Sequence, residues 1–210
     1  MQGHRLHALF ELALRAGLRK GELLGLRWED LNLTASTASI RRTLQRTSTG
    51  GLTTLSTKTV SSERRMARPA PCLRSLRDHR DKQAREREKA GRNWKESGHV
   101  FTRPDGHPIE PATLARHFKA LLRRAGLRQI RFHDLRDSTA TLLLEQGVEL
   151  VVIKEILGHA HIGVTASVYA HVRLQRDAVD LLGRALHNPA GTTTQPDDGD
   201  DSPLCAAHVR

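Results

Sequence analysis

Apolar residues in this chain recur at intervals of three and four, and several of the runs they form close on a glycine. Leu6, Leu9, Phe10, Ala13 and Leu14 lead to Gly17, and similar runs end at Gly126, Gly147 and Gly158. That spacing puts the apolar side chains on one face of an α-helix, and the closing glycine supplies the left-handed residue that ends it. Helices are therefore predicted from about residue 6 to Gly17, over 20–26, from Pro111 to Gly126, over 134–146 and over 149–157. A short helix over 165–171 and a last one over 173–186 follow. In the Pro111 helix the apolar stripe is Leu114, Phe118, Leu121, Leu122 and Ala125, with Arg116, Lys119, Arg123 and Arg124 on the other faces.

Two stretches break this pattern. Residues 39–48 and 51–68 are rich in Thr, Ser and Arg, with Ile40, Leu44, Leu52, Leu55 and Val60 among β-branched residues and a Gly50-Gly51 turn between them. They predict about three short antiparallel strands. Turn chemistry at Asp30, Asn32 and 34–39 precedes them, and Pro69 and Pro71 stop them. Residues 73–90 form a charged helix with Arg77/Asp81 and Arg85/Lys89 four apart, expected to face mostly solvent, and 99–102 a short strand before the Pro104-Asp105-Gly106 turn. The fold class is α+β: one mainly helical domain over 1–186 with a small three-stranded antiparallel sheet. The Pro-, Gly-, Thr- and Asp-rich residues 187–210 are expected to be a disordered acidic tail.

Composition narrows the function classes. No run of about 18 apolar residues is present to span a bilayer, and no apolar stretch behind Met1 reads as a secretory signal, so the cytoplasm is the expected compartment. Cys72 and Cys205 have neither disulfide-framework nor metal-ligand spacing. The 34 Lys and Arg against 23 Asp and Glu leave +11, and residues 1–186 alone carry 33 basic against 19 acidic side chains, or +14. A body that basic suits a polyanion, since each neutralised phosphate releases counterions. Arg outnumbers Lys 27 to 7, which favours bidentate grip on oxyanions, although a GC-rich genome gives the same bias.

The single tyrosine, Tyr169, stands between His159 and His171, and upstream RFHDLRDS places His133 and Arg136 three apart. On a helix beginning near Asp134 those two side chains leave the same first turn. An arginine there opposes the helix dipole unless an anion is close, and free N–H groups attract such an anion. Taken singly, each residue also has a plain reading as packing or a cap. His159 and His161 could be a metal pair, but no third ligand has recognisable spacing. No metal or cofactor is assigned.

Taken together, the order of motifs is informative. Arg19 in AGLRKGELLGLRW, Lys58 in STKTVSSERR, His133 and Arg136 in HDLRD, His159 in LGHAHIGVT and Tyr169 in VYAH resemble the catalytic domain of the tyrosine recombinases, or phage integrases, from about Leu6 to Leu186. The resemblance implies a site-specific DNA recombinase that cuts and rejoins strands through a 3′-phosphotyrosine. Tyr169 would be the nucleophile, Arg19 and Arg136 would grip the nonbridging oxygens, and Lys58 would protonate the leaving 5′ oxygen. His133 and His159 would bond the phosphate and move protons, in an order left open. Double-stranded DNA is the implied partner, bound by a homotetramer on two duplexes, with 173–186 docking on a neighbour or folding back. Family members also carry an N-terminal helical domain of about 100 residues. The chain begins inside the first catalytic-domain helix, so that domain is expected to be absent and DNA binding to be weak and salt-sensitive. The rivals are a catalytically idle DNA-binding remnant and a metal-dependent phosphodiesterase using the histidines.

Overall fold

Helix α1 (His7–Ala16) is the centre of the protein, here seen in a computed structural model that describes residues 3–48, 50–56, 64–67 (backbone only at 65–67), 70–159, 161, 163, 166 and 179. Ala8, Leu9, Phe10, Leu12, Ala13 and Ala16 are all buried, and Gly17 ends the helix at φ +57°. Leu12 therefore lies inside, where the spacing had not placed it, and Leu14 stays 37% exposed. Helices α2 (Lys20–Gly25), α3 (Ala70–Ala90) and α5 (Asp134–Glu145) all pack on α1. The aromatic content is low but concentrated: Phe10, Phe118 and Phe132 lie with ring centroids 5.4–6.3 Å apart and join α1, α4 (Pro111–Arg124) and the segment before α5. Helix α6 (Leu150–Leu157) closes against α5 through a second cluster of Ala140, Ile153 and Leu157.

The strands fall into two small antiparallel ladders. β1 (Leu31–Asn32), β2 (Thr37–Ile40) and β5 (Arg64–Ala67) make the three-stranded sheet, in the order β1-β2-β5, while β3 (Arg42–Arg46) and β4 (Leu52–Ser56) form a separate hairpin. The Asp30–Asn32 stretch, expected as turn, contributes β1, and the turn proper follows it with Ser36 at φ +55°. The hairpin lies on α2 because two glycines one turn apart open that helix face: a Cβ on Gly21 would sit 2.2 Å from Thr43 Oγ1, and one on Gly25 would sit 3.0 Å from the Arg42 and Leu44 backbone.

Helix α3 starts at Ala70 and takes Pro71 into its first turn, where a missing N–H costs nothing. Its outward face is charged as expected, but its inward face is polar as well, with Ser75, His79 and Gln83 buried beside Cys72 and Leu76. These polar groups replace the short strand expected at 99–102. Gln83 Nε2 donates to the His99 and Val100 carbonyls and to Thr102 Oγ1 (3.2, 3.1 and 2.9 Å), and its Oε1 accepts from Trp28 Nε1 at 2.7 Å. With those carbonyls taken by side chains, the segment makes isolated bridges only, Arg27 to His99 and Thr102 to Pro108.

Burial holds the His79 imidazole below the ordinary histidine value, and repulsion from Arg5 adds to it. Burial and then Arg27 do the same to His99. Both rings must fold neutral, so the stability they carry is complete above the unfolded value of 6.5 and is lost as pH falls through their lower folded values. The thermal midpoint should be flat above about pH 7 and decline steadily below about pH 6.5. A pH series of melting curves checks this, and a flat midpoint down to about pH 5 would contradict it.

The chain divides into two compact units, Met1–Val172 and Arg173–Arg210, and Val179 alone of the second unit is among the described residues. The expected helices over 165–171 and 173–186 and the expected tail over 187–210 lie outside the described residues. No helix among the described residues is long and apolar enough to cross a membrane.

Candidate active site

Arg19 caps the N-terminus of α2 with extended backbone angles (φ −66°, ψ 150°). Glu22, three residues on, reaches back: its Oε2 accepts the Arg19 N–H and its Oε1 the Arg19 Nη1, both at 2.9 Å. The same carboxylate receives a second arginine head-on. Arg64 Nη1 donates to Oε1 at 3.1 Å and Nη2 to Oε2 at 2.9 Å, so four hydrogen bonds fill the acceptor sites of Glu22.

The C-terminus of α6 gathers these groups. Its last carbonyls have no helical N–H to accept and carry the negative end of the helix dipole. Arg64 Nε donates to the Ile156 carbonyl (3.2 Å), Arg136 Nη2 to that of Leu157, and Arg19 Nη2 to that of Gly158 (2.8 Å), so three successive carbonyls hold three arginines. Arg136 also donates through Nη1 to the carbonyl of Gly17, at the C-terminal end of α1. An arginine in the first turn of α5 is thus offset by the negative ends of two other helices rather than by its own. Gly158 ends α6 at φ +64° and lets Arg64 lie flat on it, since a Cβ there would meet Arg64 Nη1 at 2.6 Å. His159 follows directly.

Four of the residues expected from sequence therefore converge: Arg19, Arg136, His159 and, at the N-cap of α5, the exposed His133. Lys58 and Tyr169 lie outside the described residues. Glu22 and Arg64 were not anticipated. Arg19-x-x-Glu22 does carry a local signal, the spacing of a cap and its third helical residue, but the Glu22–Arg64 pair spans 42 positions and leaves none.

The cluster has more positive than negative charge. Burial, then repulsion from Arg19, lowers the Arg136 guanidinium to about 9 although Glu22 opposes the shift. Burial, followed by Arg136, Arg19, Arg64 and His133, pushes His159 down to about 4, so its ring is neutral at pH 7. Burial alone would raise Glu22, but the hydrogen bonds and charge of Arg64, with those of Arg19, outweigh it and keep the carboxyl below its ordinary value. Arg19, Arg64 and Arg136 against one carboxylate leave two excess positive charges next to a neutral imidazole. That is a site for an oxyanion, with a proton acceptor beside it. Among the described residues no group of three or more His, Cys, Asp or Glu could hold a metal ion.

The domain is mainly helical with small antiparallel ladders, and it brings three arginines together at the end of α6. The chain belongs to the phage integrase family, which it matches over residues 1–176. It is 37% identical over 195 residues to a tyrosine recombinase XerC-like protein of Caldanaerobacter subterraneus subsp. tengcongensis, covering 87% of this chain and 50% of that protein. To an integrase of Streptomyces ambofaciens it is 33% identical over 204 residues, covering 90% and 51%. The chain thus spans about half the length of these relatives. The fold is shared with the Tn1549 transposon integrase bound to transposon right-end DNA (TM-score 0.72, 19% identity, 88% of this chain and 61% of that one). It is also shared with XerA recombinase (TM-score 0.63, 22% identity, 89% and 59%).

Proposed function

We propose that this chain is the catalytic part of a site-specific DNA recombinase that cuts and rejoins DNA through a 3′-phosphotyrosine on Tyr169. The observation that carries the reading is the gathering of Arg19 and Arg136 on adjacent carbonyls at the end of α6, those of Gly158 and Leu157, with an excess of positive charge and neutral His159 beside them. A phosphodiester repels nucleophiles by its charge, and two guanidiniums offset that charge as it grows in the pentavalent transition state. The Tyr169 oxygen attacks phosphorus, its proton passing to a histidine. The bond to the 5′ oxygen breaks, and that oxygen takes a proton from Lys58. Attack by a 5′ hydroxyl reverses these steps and reseals a strand, so the ester stores the bond and no nucleotide cofactor enters. A bound phosphate would raise the basicity of His159 by offsetting the arginines that now depress it, which readies the ring when substrate arrives.

Double-stranded DNA is the proposed partner, in keeping with the +11 net charge and with the DNA held in the solved integrase structures that share the fold. Action as a homotetramer on two duplexes, in the cytoplasm, belongs to the same reading. The test is a library of duplexes randomised around a central nick, from which cleavage frees a short oligonucleotide that cannot religate. Wild type should form a detergent-resistant protein–DNA adduct, indifferent to EDTA, and Tyr169→Phe should form none. No adduct from any duplex would leave the idle DNA-binding remnant, and an EDTA-sensitive cut without an adduct would leave the metal-dependent phosphodiesterase.

A further inference from the structure

Arg64 lies near the end of the STKTVSSERR run that carries Lys58, where the sequence assigns it no role, yet it is the most deeply enclosed cation on Glu22: its side chain is 8% exposed, against 39% for Arg19. Its fork spends both Nη atoms on the Glu22 carboxylate and its Nε on the Ile156 carbonyl. It therefore touches two bodies that the site must keep in register: α2, which carries Arg19, and the end of α6, which carries His159. Its Nε, Nη1 and Nη2 all donate to protein acceptors, whereas Arg136 spends only its two Nη atoms on carbonyls, so Arg64 has no edge of the fork left to turn to a phosphate. A surface arginine kept for DNA affinity would be exposed, flexible and replaceable by lysine. Arg64 has the opposite properties, and a lysine could not occupy three acceptors set in two directions.

From this geometry, and resting on the strand-cleavage reading above, we infer that Arg64 is a positioning residue for the reaction, locking Glu22 so that the Arg19 guanidinium faces the scissile phosphate. It acts through Glu22 and Gly158 and does not meet the DNA. With Glu22 fixed by the fork, Arg19 has one orientation, with Nη1 on the carboxylate and Nη2 on the Gly158 carbonyl. Without the fork, Glu22 can swing to solvent and Arg19 follows it.

The experiment measures adduct formation by Arg64→Gln and Arg64→Lys on the duplex selected above, as a function of DNA concentration. The rate at saturating DNA should fall about 100-fold in R64Q and about 10-fold in R64K, as for loss of a transition-state donor. The half-saturating DNA concentration should stay within about two-fold of wild type, because no phosphate contact is removed. A wild-type rate in either variant, or a loss carried wholly by the half-saturating concentration, overturns the inference. R64K keeps the test open should R64Q fail to fold. If wild type itself forms no adduct, the functional reading fails separately and the inference is judged with inorganic vanadate, which can take the five-coordinate arrangement of the transition state, followed through the His159 ring signals. Vanadate should bind roughly ten-fold more weakly to R64K than to wild type, and equal affinity overturns the inference.

Discussion

Replacing Arg136 with alanine is expected to abolish adduct formation, by about 1000-fold or more, and at the same time to lower folding stability by about 2–4 kcal/mol. Both effects come from one side chain because Arg136 is 2% exposed and donates to two backbone carbonyls, of Gly17 and Leu157, that terminate different helices. Each carbonyl left buried without a donor costs about 1–3 kcal/mol, and the space vacated by the side chain adds to that. Arg136→Lys separates the contributions. The ammonium keeps the charge but cannot fork between two carbonyls, so most of the stability loss should persist and activity should not return. Urea unfolding with an unchanged slope and the adduct assay read the two effects independently. An R136A protein of wild-type stability would mean that the bonds to α1 and α6 hold nothing together.

The parts of the molecule that were legible from sequence are those fixed by local rules. Gly17 and Gly158 end α1 and α6 in the left-handed conformation their positions implied, and Pro111 opens α4. Arg19, His133, Arg136 and His159 were recognisable because each sits in a short motif, and the structure brings them to one place. What was not legible depends on contacts distant in the chain. The charge of 73–90 pointed to solvent, but Ser75, His79 and Gln83 are buried because the carbonyls of 99–102 need donors. Only the fold reveals that need. The ladder of β2 with β5 is offset in register by six residues from that of β3 with β4, although Arg41 alone separates β2 from β3, so the pairing divides in two, and no local spacing shows that offset. Arg64 could not be singled out among 27 arginines without knowing that Glu22 faces it.

Glu22 is the second residue whose removal should have a large effect, and its case separates stability from alignment. Glu22→Ala leaves Arg64, 8% exposed, as a buried cation without a counter-charge, which costs about 3–5 kcal/mol. The double variant Glu22→Ala with Arg64→Ala should lose less than the sum of the singles, because the unpaired charge is created only when one partner stays; a coupling of about 2 kcal/mol is expected. Strict additivity in urea unfolding would show that the fork contributes nothing. Acid should weaken the same pair. The Glu22 carboxyl is held below its ordinary 4.5, so the pair's stabilisation is complete above that pH and is lost as pH falls through the lower folded value. Replacing both residues with methionine removes the charges together and fills similar volume, and buried ion pairs exchanged in this way are often neutral or stabilising. E22M/R64M should therefore melt near wild type yet form adduct at about a hundredth of the rate or less. A stable, inactive double variant would mean that the carboxylate and its arginine are there to aim Arg19, since apolar packing could supply the same stability.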